Sequence, residues 1–141
     1  MADLVRKTDY FKALIPNKPG EGAKVLNALR AAGVALVAMW GYPMGARAKQ
    51  AALELIPETA AGFGKIARKA GLEGVEKLSG AFLVCGEDRI GAMAEVLSKL
   101  ADAGINVQSA KGISSGEGRF GAAVFVAPED AKKAAKALGV K

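Results

Sequence analysis

Residues 17–36 and 88–107 of this chain, "NKPGEGAKVLNALRAAGVAL" and "DRIGAMAEVLSKLADAGINV", share one pattern: a loop, an amphipathic helix and the start of a strand. At a constant shift of 71 without gaps, roughly 16 of 61 aligned positions are identical, the signature of an internal repeat. Phe11 falls on Phe82, Gly20 on Gly91, Leu29 on Leu100, Gly33 on Gly104 and Pro57 on Pro128. These are turn glycines and apolar positions, which set backbone and core. A core built from about 70 residues is marginal alone, so the two copies are expected to lean on each other or on a second chain.

Each copy reads as β-α-β-β-α. In the second, "AFLVC" (81–85) is a short apolar strand. Met93, Val96, Leu97 and Leu100 then make the apolar stripe of a helix that Gly104 stops. "INVQSAKGI" and "RFGAAVFVA" alternate as strands around the turn "SSGEG", and "PEDAKKAAKAL" is a helix with acids first and lysines later. In the first copy the same elements are "YFKALI", "GEGAKVLNALRAAG", "VALVAMWGY", "AKQAALELI" and "PETAAGFGKIARKAG", with "GVEKL" (74–78) as a fourth strand. The expected fold is α+β: two ferredoxin-like βαββαβ units packed side by side, with helices on one face of an antiparallel sheet. The units are expected at 1–78 and 79–141, and the N-terminal strand 2–7 is expected to complete the second unit, which has only "GVK" after its last helix. The gapless shift makes Glu54 the counterpart of Phe125. Both are expected to face away from the helices and leave a partly apolar sheet surface, hence a homodimer or larger assembly.

Composition narrows the function. Hydrophobic residues make up 51% of 141 and exclude disorder. Histidine is absent and Cys85 is the single cysteine, which removes the commonest general base and any internal disulfide. No catalytic or metal-ligating cluster and no cofactor site is legible, so no enzyme activity is expected. No stretch of apolar residues is long enough for a membrane span, and a cytoplasmic location is expected. The net charge of +6 comes from the first half, with about 11 basic and 5 acidic residues before position 71 against about 9 of each after it.

The loops "NKPG" (17–20) and "DRIG" (88–91), with "AAGVAL" and "DAGINV" after their helices, resemble the ACT domain, a ligand-binding module of regulated enzymes in amino-acid metabolism. The resemblance covers almost the whole chain as a tandem pair. It implies a regulatory sensor that binds a free amino acid or similar small acid and passes that state to a partner enzyme or through its own oligomer. It also implies where the ligand sits: between the loop before the first helix of one unit and the second strand of the other. Carried over by position, those residues are Asn17, Lys18, Pro19 and Gly20 with Ile105, Asn106 and Val107. A second, weaker group is Asp88, Arg89, Ile90 and Gly91 with Val34, Ala35 and Leu36, where a carboxylate and an alanine replace the two asparagines.

Two other classes compete. An RNA-recognition motif has the same element order, and "RFGAAVFV" is loosely similar to its aromatic strand, but it lies in the electrically neutral half. An oligomeric interaction module without a ligand is the other. Trp40 and Tyr42 read as packing residues, and Cys85, in an apolar strand, as a buried inert thiol.

Overall fold

The computed structural model describes residues 3–140. Ala2, the first residue of the expected N-terminal strand, and Lys141 lie outside the described residues. The chain forms two compact units: one runs from Asp9 to Leu78, and the other joins the segment up to Thr8 to the segment from Ser79 onward. The elements are α+β and the strands antiparallel, as the alternating patterns predict.

The unit from Asp9 to Leu78 takes the second half of β1 (Leu4–Pro16), then α1 (Glu21–Ala31), β2 (Leu36–Pro43), β3 (Gln50–Pro57), α2 (Phe63–Lys69) and the first part of β4 (Glu73–Glu87). Its strand order is β2-β3-β1-β4, the ferredoxin-like arrangement. Val25 and Leu29 lie one turn apart on α1 and are buried against Leu53 and Leu55 of β3. The Phe11 and Phe63 rings pack with centroids 4.7 Å apart and planes tilted by 52°.

The other unit takes the remainder of β4, α3 (Ala92–Asp102), β5 (Val107–Gly116), β6 (Arg119–Val126), a short 3-10 turn at Pro128–Asp130 and α4 (Ala131–Ala137). Its fourth strand is the first half of β1, in the order β1-β4-β6-β5. Val5 packs onto a core of Phe82, Val84, Val96, Leu100 and Val124.

Several expectations need correcting. The strands expected at 2–7 and 10–15 are one continuous strand, β1, and those at 74–78 and 81–85 are one strand, β4. The second amphipathic helix of the first copy begins at Phe63 rather than Pro57, because Pro57 ends β3 and residues 58–62 form a loop. The gapless alignment also fails in the hairpins. Six residues join β2 to β3, but two join β5 to β6, where Glu117 (φ 56°) and Gly118 (φ 71°) make a tight turn of left-handed residues. Ala81 pairs with Phe125, while Phe11 pairs with Leu55, so Phe125 corresponds to Ile56 and not to Glu54. Phe125 is only 2% exposed, so it forms no open apolar surface. Cys85, expected to be buried, is exposed. The alternation of β4 sends Phe82 and Val84 into the core and turns Cys85 outward, where the Arg119 guanidinium donates to its sulfur at 3.2 Å.

Candidate functional site

In both units the loop before the first helix is clipped to the following hairpin. The Asn17 backbone N–H donates to the Lys49 carbonyl at 2.8 Å, and the Asp88 N–H to the Gly118 carbonyl, also at 2.8 Å. The side chains add a second clip. The Asn17 amide donates to the Ala48 carbonyl at 2.9 Å, and the Ser114 hydroxyl donates to the Asp88 carboxylate at 2.7 Å. The Asn17 clip uses one of that amide's two hydrogens. Each loop ends in a left-handed glycine, Gly20 (φ 89°) or Gly91 (φ 82°), directly before the helix. A methyl added at either would meet nothing, so the backbone conformation alone calls for glycine there. No side chain caps α1 or α3, which leaves first-turn N–H groups and the positive dipole end at the loop.

Asn17 and Lys18 border a cavity of about 600 Å³ with Gln50 and Glu73. Asp88, Arg89 and Gly91 border one of about 330 Å³ with Met93, Gly112 and Ser114. Pro19 and Ile90, the third residues of the loops before their glycines, are both exposed. Ile105 is buried in the core and Val107 half-buried, while Asn106 between them is exposed. In the other unit Val34 and Leu36 pack on the core and Ala35 is exposed, its carbonyl accepting from the Glu58 N–H at 2.9 Å. Within either unit the loop and the strand start do not meet. They lie at opposite ends of an 11-residue helix, about 16 Å long.

Arg89 is not the free surface charge its place in the loop suggests. Its guanidinium meets the Asp3 carboxylate through two hydrogen bonds of 3.1 Å, the Glu95 carboxylate at 2.6 Å and the Glu87 carbonyl at 2.9 Å. The hydrogen bond from Arg89, then its charge, holds the Glu95 carboxyl below the usual carboxylate range. Because the folded value is lowered, Glu95 stabilises the fold above its ordinary value of 4.5, and that stabilisation is lost as pH falls through the folded value. Wild type should therefore melt above Glu95→Gln near neutral pH, with the gap closing in acid. Thermal melts of both proteins across the acid range check this.

A second polar group sits on β2 and β3. Trp40 donates its indole N–H to Glu54, and the Tyr42 hydroxyl donates to the same carboxylate at 3.0 Å. Burial first, then the Glu54 hydrogen bond and charge, push the Tyr42 hydroxyl above its ordinary value. Among the described residues no group of three or more His, Cys, Asp or Glu side chains could hold a metal ion. No described helix is long and apolar enough to cross a membrane.

The family model of the ACT domain matches residues 81–140. No curated protein matches the sequence. Solved structures do share the fold. A protein from Bacteroides thetaiotaomicron is 16% identical over 96% of this chain and 88% of that one, with a TM-score of 0.78. The ligand-free regulatory subunit of aspartate kinase from Thermus thermophilus is 20% identical over 99% of this chain and 95% of that one, with a TM-score of 0.65. Aspartokinase III of E. coli, in complex with aspartate and ADP, is 19% identical over 97% of this chain but 32% of its own, with a TM-score of 0.59. At such identities the likeness is one of fold. Residues 81–140, with α3 opening from the Asp88–Gly91 loop, are an ACT domain.

Proposed function

We propose that this protein is a non-catalytic regulatory sensor of a free amino acid or similar small acid. The observation that carries this reading is the ACT domain at 81–140, whose loop and uncapped helix start recur at Asn17–Gly20. Uncapped N–H groups at a positive dipole end suit the ligand's carboxylate, and an amide can serve both its carboxylate and its ammonium. The contacts proposed are Asn17, Lys18, Pro19 and Gly20 with Ile105, Asn106 and Val107. Ile105 would contribute its backbone, since its side chain is in the core. The group of Asp88–Gly91 with Val34–Leu36 is the weaker one: Asp88 and Arg89 already have partners, and Ala35 offers no polar side chain. The fold shared with the regulatory subunit of an aspartate kinase favours a partner enzyme as the recipient of the signal. A homo-oligomer is the other route.

Removing a hydrogen bond to a charged ligand group costs about 1.5–3 kcal/mol, so Asn106→Ala should weaken amino-acid binding roughly tenfold or more. Asp88→Ala should leave it nearly unchanged or tighten it, since it removes a carboxylate that repels an anion. Titration calorimetry on both variants checks this. The site assignment fails if Asn106→Ala binds like wild type while Asp88→Ala abolishes binding.

A further inference from the structure

We propose that Gly86, Arg89 and Phe120 form a socket for a carboxylate, and that the chain fills this socket with its own Asp3. Three observations make it a built site rather than a surface ion pair. The two Asp3 oxygens take two different guanidinium nitrogens of Arg89, each at 3.1 Å, the fork geometry in which arginine receives a carboxylate. The Asp3 side chain is 11% exposed, against 55% for Glu95 on the same guanidinium, so Asp3 is the enclosed partner. Gly86, itself buried, has no room for a side chain: a methyl there would overlap the Asp3 carboxylate. The Phe120 ring adjoins both other members, with its edge against Gly86 and the Arg89 guanidinium 5.6 Å from its ring centre.

The ligand class follows from the geometry. The socket offers a planar cation, a bare backbone and an aromatic wall, and so takes a small monocarboxylate. Asp3 is such a group, delivered by the strand that begins at Leu4. Tethering gives it an effective concentration no dilute free acid can match, so the socket stays filled in the intact chain. The N-terminal end of β1 is thereby a built-in ligand for the loop that opens α3. This inference does not depend on the sensor reading and holds whether or not an amino acid binds elsewhere.

Chemical rescue of the full-length protein tests it. Asp3→Ala should lower the melting temperature by about 3–8 °C. Sodium formate at about 100 mM should restore roughly half of that loss saturably, as a ligand of the native state does. Sodium chloride at equal strength should not. Formate should have no such effect on wild type or on Asp3→Ala combined with Arg89→Met. Gly86→Ala should destabilise wild type clearly more than it destabilises Asp3→Ala, because without the carboxylate only the Phe120 ring edge still crowds the methyl. If Asp3→Ala folds only in formate, the socket is equally supported. An unchanged melting temperature for Asp3→Ala overturns the proposal. So does a loss that formate and chloride restore equally or not at all, a formate effect that survives Arg89→Met, or a Gly86→Ala cost that is the same in both backgrounds.

Discussion

Gly80→Ala should lower the melting temperature by roughly 6–15 °C, at about 3 °C for each kcal/mol in a chain of this length. Gly80 lies inside β4 with φ at 95°, and a left-handed conformation costs an L-residue about 1–2 kcal/mol. A methyl there would also overlap the backbone carbonyl of Val126, the last residue of β6. Forcing backbone apart in a packed region adds about 1–3 kcal/mol. The total is therefore about 2–5 kcal/mol. Gly121→Ala is the matched control, since a methyl on that β6 glycine meets nothing and its φ is not positive. Circular-dichroism melts of the two variants should differ by most of the Gly80 effect.

Phe82→Ala should cost about 3–5 kcal/mol, the range for removing a buried aromatic ring from a core. Phe82 has no exposed surface and sits among Val96, Leu100, Val124, Ala134 and Leu138, which gather β4, β6, α3 and α4 around one ring. The cavity left behind would strip contacts from both helices at once. Hydrogen exchange should show α3 and α4 losing protection, and denaturant unfolding should give the free energy directly. Leu83→Ala, one residue along but only half-buried, should cost clearly less.

What the sequence makes legible is what is local. Helices α1 and α3 start at Glu21 and Ala92 and end at Ala31 and Asp102, keeping the 71-residue shift, because apolar spacing and the following glycines act within a few residues. The backbone repeats more finely still: β2 has an irregularity between Leu36 and Ala38, and β5 has one at the matching place between Val107 and Ser109. What depends on the ladder is not legible. Thr8–Asp9 and Ser79–Gly80 look like breaks between strands, yet β1 and β4 run through them, since pairing with neighbours overrides local preference. The two-residue turn at Glu117–Gly118 shifts β6 against a gapless alignment and misplaces the counterpart of Phe125. At the candidate site, the loops 17–20 and 88–91 are visible in sequence as Pro-Gly and Ile-Gly before a helix. Their partners are not. Arg89 and Asp3 are separated by 86 positions and Asn17 and Ala48 by 31, and only the folded chain joins them.

Whether a free amino acid binds this protein is decided by a thermal-shift series with each of the twenty amino acids. A ligand held only by the native state at about 100 times its dissociation constant stabilises it by about 2.7 kcal/mol. A saturable rise in melting temperature is expected with one amino acid or a few of similar shape, and it should be lost in Asn106→Ala. A flat response to all twenty at millimolar concentration would contradict that expectation.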